Sequence, residues 1–295
     1  MFETIKWLHV EPTTRCNAWC PSCVRNQNGF GLNPNLKIED LEVKRLNSVI
    51  QQLPKLEHVI FCGNQGDPCA AKNIDQQLDV VYKNKFYLQL QTNGSLRSKK
   101  WWEQLGKKFK GHSEVWFALD GLEDTHSYYR QGTNFKKIID NATAFIKAGG
   151  HAIWQFIPFK HNEHQIKDCL KLSQQLGFKE FRLIKGARYK DKNYNYRTGK
   201  EIQIEPWTKH LEIWKRNRNG LLNTIQDPKY KKTKVEKNNC VHLAMPSIFL
   251  NAHGMLSPCC MLGIAETTKD ISSYQINKNF VDKQWLPTCL KECGS

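Results

Sequence analysis

The sequence predicts an α/β fold with parallel strands and helices outside them. Three observations carry that prediction. Strand-like apolar runs and helix-period stretches alternate six times between residues 7 and 186. Polar or glycine-rich motifs follow the strands. Hydrophobic residues make up 40% of a chain of 295, which is enough for a sizeable core.

Each element can be justified in order. WLHVEPT (7–13) reads as a strand, and IEDLEVKRLNSVIQQL (38–53) has helical spacing. HVIFCG (58–63) is a short apolar run ending at glycine. IDQQLDVVYKN (74–84) is the next helix, and FYLQLQT (86–92) alternates as a strand. RSKKWWEQLGKKF (97–109) reads as a helix and EVWFALDG (114–121) as a strand. NFKKIIDNATAFIKAGG (134–150) is a helix closed by glycines, which suit a left-handed cap. HAIWQFIPF (151–159), EHQIKDCLKLSQQLG (163–177) and FKEFRLIKG (178–186) complete the pattern. Six such repeats fit either a barrel or a doubly wound sheet.

The N-terminus has no basic start followed by an apolar run, and no stretch approaches the roughly 20 apolar residues of a membrane span. A soluble, cytoplasmic protein without a membrane partner is expected. Eleven cysteines in a chain of this size argue for metal ligands rather than a secreted disulfide framework. They gather at the two ends, and Cys62, Cys69 and Cys169 between them read as buried thiols. The net charge is +16. Between Lys185 and Cys240, fifteen basic side chains face six acidic ones, with Tyr189, Tyr194, Tyr196, Trp207, Trp214 and Tyr230 interleaved. Such a stretch suits phosphate contacts with base stacking, or else a solvated surface.

Four polar motifs follow four strands: TRCNAWCPSC, GNQGDP (63–68), QTNG (91–94) and ALDG (118–121). In a parallel α/β fold such loops converge on one mouth. Cys16, Cys20 and Cys23 are spaced four and three apart with no fourth thiol nearby. A zinc site wants four ligands and a redox dithiol wants two. An iron–sulfur cluster held at three corners, with one iron open, fits.

CNAWCPSC, the glycine-acid-proline turn and the TNG and LDG turns together resemble the radical SAM superfamily, from about Trp7 to Gly186. The resemblance implies a partial (β/α)6 TIM-like barrel. It implies that Cys16, Cys20 and Cys23 hold a 4Fe–4S cluster whose open iron chelates S-adenosylmethionine. It further implies cosubstrate contacts from Gln65, Gly66 and Asp67, from Thr92 and Asn93, and from Asp120, Arg130 and Asn162. Arg130 is expected to reach the cosubstrate carboxylate. Gln65 stands where the family has glycine, Asp67 where it usually has glutamate, Ala118 where serine is frequent, and Ser22 where an aromatic is common. The reduction such chemistry needs implies an external donor such as flavodoxin or ferredoxin.

CVHLAMPSIFLNAHGMLSPC (240–259) resembles the opening of the SPASM and twitch extensions, and PSIFLNAHGMLSPC looks like a hairpin. By that likeness Cys240, Cys259, Cys289 and Cys293 hold a second, auxiliary 4Fe–4S cluster, with Cys260 as a rival ligand. A structural zinc site on the same four thiols is the alternative. The expected organisation is a barrel over 1–186, a basic aromatic-rich connection over 187–239, and a cysteine-rich twitch/SPASM-like extension over 240–295. The basic stretch points to an anionic substrate, a nucleotide, nucleic acid or phosphorylated metabolite. A peptide-modifying enzyme is the second expectation, weakened because the first strand begins near residue 7 with no winged-helix segment before it. A zinc-stabilised nucleic-acid-binding protein is the third.

Overall fold

The computed structural model describes residues 2–184, 191–208 and 246–260. In chain order the elements begin β1 (Trp7–Val10), α1 (Val43–Gln51), β2 (His58–Phe61), α2 (Ile74–Lys83), β3 (Tyr87–Thr92) and α3 (Lys99–Lys108). They continue β4 (Ser113–Ala118), α4 (Glu123–Tyr129), α5 (Phe135–Lys147), β5 (His151–Phe156), α6 (Ile166–Leu176) and β6 (Glu180–Leu183). Four short strands follow: β7 (Asn193–Tyr194), β8 (Glu201–Ile202), β9 (Ser247–Leu250) and β10 (Leu256–Ser257). Of the described residues, 2–15, 37–89 and 246–260 form one compact unit, and 16–36, 90–184 and 191–208 form a second. β3 crosses from one to the other.

In the first unit the strand order is β10-β9-β1-β2. β1 runs parallel to β2 from Trp7↔His58 to Val10↔Phe61, and parallel to β9 from Trp7↔Ser247 to Val10↔Leu250. β10 returns antiparallel to β9. This is the hairpin that the sequence predicts, and Gly254 at φ +80° turns it. Alternation along the strands buries Leu8, Val10, Val59 and Phe61 completely, while Trp7, His9 and His58 on the other face stay half-buried. The Trp7 and His58 rings stack at 3.8 Å. α1 buries Leu46, Val49 and Ile50, spaced three and four apart on one face. The helix starts at Val43 rather than near residue 38 because Glu39 and Asp40 are drawn to the chain after β1. Thr13 bridges to Asp40, and the Thr14 hydroxyl accepts the Glu39 N–H at 2.8 Å.

In the second unit β4, β5 and β6 are adjacent and parallel. Val115 and Phe117 of β4 are fully buried, and Phe117 meets Trp102 of α3 and Phe145 of α5 at ring distances of 5.0 and 6.2 Å. α3 and α5 approach so closely that a Cβ on Gly106 would lie 2.6 Å from the Phe145 carbonyl oxygen. Ser98 caps α3, Asn134 caps α5, and Gly177 ends α6 in the left-handed region. α4 has no counterpart in the sequence pattern. It is seven mostly polar residues, and only His126 and Tyr129 of them turn inward.

The architecture is thus mixed α/β with parallel strand pairing. Each of the four polar motifs follows a strand: the cysteines after β1, GNQGDP after β2, the TNG turn at the end of β3 and LDG after β4. Among the described residues no helix is long and apolar enough to cross a membrane.

Candidate functional site

The cysteine loop belongs to the second unit. Cys20 is buried, and Cys16 and Cys23 are half-buried. A tight turn spaces Cys20 from Cys23, whose N–H donates to the Cys20 carbonyl at 3.0 Å, and a second turn follows it, with the Asn26 N–H donating to the Cys23 carbonyl at 3.1 Å. The Asn26 amide also donates to the Cys20 carbonyl. Around them pack Ala18, Tyr129, Phe159 and Ile204. Burial, opposed by Arg130, pushes the Cys20 thiol up to about 11. Left to itself this sulfur stays protonated, so binding of a metal cation would release a proton.

Asn93, in the turn after β3, closes one side of the loop. Its Nδ2 donates to Asn17 Oδ1 at 2.9 Å and lies 3.8 Å from Cys16 Sγ. Its Oδ1 accepts the N–H and hydroxyl of Ser95, and Ser95 Oγ accepts from Asn17. The Ala18 N–H also points at Cys16 Sγ, at 3.3 Å. Thr92 Oγ1 accepts the N–H of Gly94, which sits at φ +71°.

A second network closes the other side. Asp120 has no exposed surface. Its Oδ2 accepts Arg130 Nε at 2.6 Å and its Oδ1 the Ile157 N–H at 2.7 Å. Burial pushes its carboxyl up, and Arg130 pulls it back down. Arg130 Nη1 lies 3.8 Å from Cys20 Sγ, and its guanidinium sits over the Tyr129 ring. Burial opposes the guanidinium charge, but Asp120 and Cys20 beside it hold its pKa above the usual value. Asn162 ties the ends of β4 and β5 together: it donates to the Asp120 and Ile157 carbonyls and accepts the Phe159 N–H. His126 Nδ1 accepts the Asp120 N–H, and its Nε2 pairs with the Thr133 hydroxyl, which in turn donates to the Arg130 carbonyl. Burial pushes His126 down to about 3, so it is neutral. The sequence offered no signal for His126 beyond an isolated histidine.

The β7–β8 hairpin lies on the cysteine loop. The Tyr194 N–H donates to the Asn28 carbonyl, and Gln131 spans the hairpin, donating to the Tyr194 carbonyl and accepting the Tyr196 N–H. Tyr196 stacks on Trp19, the residue before Cys20, with ring centres 5.7 Å apart. Of the aromatics in the basic stretch that are described, Trp207 is buried and Tyr194 and Tyr196 half-buried. None of these three is an open stacking platform for bases. Lys192, Arg197 and Lys200 remain exposed.

The GNQGDP turn belongs to the first unit. Glu11, buried just after β1, accepts the N–H groups of Gln65 and Gly66 on one oxygen, at 2.5 and 3.1 Å. A Cβ on Gly66 would lie 1.9 Å from the Thr13 carbonyl oxygen, so only glycine fits. Asp67 Oδ1 accepts the Cys69 N–H, and the Asp67 N–H donates to the Arg15 carbonyl. Sequence reasoning missed Glu11, although a carboxylate directly after an apolar strand was a signal. Cys62 is buried beside Ile60 and Phe249, with Cys260 packed against that group. Burial, Glu11 and Cys260 together push the Cys62 thiol well up. Cys259 is buried. Cys240, Cys289 and Cys293 lie outside the described residues.

The donor set suits an iron–sulfur cluster. Three cysteine side chains stand on one short loop, N–H groups aim at two of the sulfurs, and the surrounding wall is apolar. Among the described residues no three His, Cys, Asp or Glu side chains are grouped to hold a single metal ion.

No family model matches the chain, and no curated protein matches it. Solved structures do. SuiB of Streptococcus suis bound to S-adenosylmethionine aligns over 98% of this chain and 68% of its own, with a TM-score of 0.65 at 15% identity. The likeness is one of fold, mixed α/β with parallel strands. SuiB bound to its precursor peptide SuiA aligns over 96% of this chain and 65% of its own, with a TM-score of 0.64 at 15% identity. The chain therefore spans about two thirds of the length of SuiB.

Proposed function

We propose that this chain is a radical SAM enzyme. The observation that carries the reading is the cysteine loop: three cysteines at CxxxCxxC spacing after the first strand of a parallel α/β fold, two of their sulfurs faced by N–H donors. Cys16, Cys20 and Cys23 would hold a 4Fe–4S cluster. Held there with S-adenosylmethionine, such a cluster would supply one-electron reductive chemistry that leads to hydrogen abstraction from a substrate. The protein's part is to hold and orient. By the resemblance, the turn at Gly66 and Asp67 would meet the methionine end; Glu11 and the Arg15 carbonyl hold that turn in place. Thr92 would serve the ribose side, as the resemblance implies.

The finer assignments are proposals of the same reading. Cys240, Cys259, Cys289 and Cys293, with Cys260 as the rival, would hold an auxiliary cluster that takes up or relays an electron. A flavodoxin or ferredoxin would supply the reducing electron. The substrate would be anionic, a nucleotide, nucleic acid or phosphorylated metabolite, drawn by the basic stretch of which Lys192, Arg197 and Lys200 are exposed. Peptide modification is the second reading, favoured by the likeness to SuiB with its bound precursor peptide.

The test is anaerobic reconstitution with iron and sulfide, followed by an assay for 5′-deoxyadenosine with dithionite and S-adenosylmethionine. About eight irons per chain are expected if both clusters form. The variant with Cys16, Cys20 and Cys23 all changed to Ala should keep about half of them and make no product. Undiminished cleavage in that variant, or a colourless zinc-loaded protein, overturns the reading. Nucleic-acid affinity that falls steeply with salt separates the anionic substrate from the peptide, since counterion release drives such binding.

A further inference from the structure

We infer that Asn93 and Arg130 set the reduction potential of the cluster on Cys16, Cys20 and Cys23, each by donating a side-chain N–H to one ligand sulfur. The inference rests on the radical SAM reading and adds a role that the resemblance does not assign. By resemblance, Asn93 is a ribose residue and Arg130 a carboxylate clamp. Their geometry directs them elsewhere.

Both donors are 3.8 Å from their sulfurs, within reach of that large, soft acceptor. Both are locked. Asn93 cannot turn its amide over without losing two hydrogen bonds from Ser95 to its Oδ1 and the one its Nδ2 gives Asn17. Arg130 is held at Nε by Asp120, whose other oxygen is fixed by the Ile157 N–H. With Nε on a carboxylate and Nη1 on Cys20, the guanidinium is turned toward the cysteine loop.

The consequence follows from charge. Reduction adds negative charge to the cluster and its thiolates. A donor aimed at a ligand sulfur stabilises that added charge, so it raises the potential; hydrogen bonds to sulfur are among the known determinants of cluster potentials. Arg130 acts as a donor and as a positive charge, Asn93 as a donor alone. Arg130 should therefore have the larger effect. Ala18 makes the same contact with Cys16 through its backbone, beyond the reach of ordinary substitution.

The test is an EPR-monitored redox titration without S-adenosylmethionine, on reconstituted wild type, Asn93→Ala, Arg130→Met and Arg130→Lys. The spectrum of the triple Cys→Ala variant is subtracted to remove any other cluster. At the poise that half-reduces the wild type, Arg130→Met should show a reduced-to-oxidised ratio at least tenfold lower, which is about 59 mV for one electron. Asn93→Ala should shift the same way by less, and Arg130→Lys should lie between Met and wild type. Pulsed EPR of exchangeable protons at the reduced wild-type cluster should show couplings that each variant loses in part. Full iron and sulfide in the variants with unchanged potentials overturns the inference and leaves the enzyme reading intact. So does loss of the cluster from all three variants, which makes these side chains structural. A wild type that takes up no iron brings down the enzyme reading itself.

Discussion

The carboxylate of Glu11 accepts the backbone N–H of Gly66 at 3.1 Å, and that of Gln65 on the same oxygen. One buried side chain thus satisfies two neighbouring donors of the turn. Glu11→Ala leaves both amides without an acceptor, at about 1–3 kcal/mol each. The urea midpoint should fall accordingly, and S-adenosylmethionine binding by calorimetry should weaken at least tenfold. Glu11→Gln keeps an oxygen and should lose less on both measures. No loss in either variant would show that the turn does not depend on this acceptor.

Gly66 and Gln65 should respond in opposite ways to substitution. A methyl on Gly66 meets the Thr13 carbonyl oxygen at 1.9 Å, backbone against backbone, so the turn must open. Gly66→Ala is expected to cost about 3 kcal/mol or more in chemical denaturation. Gln65→Gly places no Cβ at a crowded position and keeps the backbone N–H that Glu11 accepts; it should stay within about 1 kcal/mol of wild type. Gly63 makes a close approach of its own, since its Cβ would lie 1.9 Å from the Gly66 carbonyl oxygen.

His126 makes stability depend on pH. Burial holds it neutral down to about 3, whereas the unfolded chain protonates near 6.5. Between these values the unfolded state binds more protons, so stability rises with pH and is lost on acidification, by up to about 1.4 kcal/mol per unit for this group. His126→Gln should flatten the acid limb of denaturation midpoint against pH between 6.5 and 4. An unchanged slope would place the acid sensitivity in other groups.

How much of this was legible in the sequence depends on distance along the chain. The six strands, the five helices between them and the four strand-end motifs are local patterns, and they were readable. The contact from Asn93 to Cys16 joins positions 77 apart, and that from Arg130 to Cys20 joins positions 110 apart. No periodicity encodes such pairs. α4 escaped because seven polar residues carry too little apolar pattern to announce a helix, and the pairing of β9 with β1 escaped because parallel neighbours far apart in sequence leave no turn signal. The basic stretch read as one solvated or nucleic-acid-binding surface. Its described part divides instead: Trp207 is buried, Tyr196 stacks on Trp19, and Lys192, Arg197 and Lys200 face outward.

Gln131 is the remaining lever, because its buried amide joins the hairpin to the chain beside the cysteine loop. Its Nε2 donates to the Tyr194 carbonyl at 3.2 Å and its Oε1 accepts the Tyr196 N–H at 2.8 Å, while its own carbonyl accepts the Trp19 N–H. The first two bonds are lost in Gln131→Ala and the third is kept. Two hydrogen bonds at about 1 kcal/mol each hold the β7–β8 cover down. With Ile202 and Ile204 packed against the group that contains Cys20, that cover shields the sulfurs from solvent. Releasing it should leave cluster loading unchanged under anaerobic conditions but speed bleaching in air severalfold, followed by the loss of iron–sulfur absorbance. Bleaching at the wild-type rate, with Tyr196 still stacked on Trp19 by fluorescence, would mean the hairpin holds without Gln131. Bleaching at the wild-type rate with the stack broken would mean it is no shield.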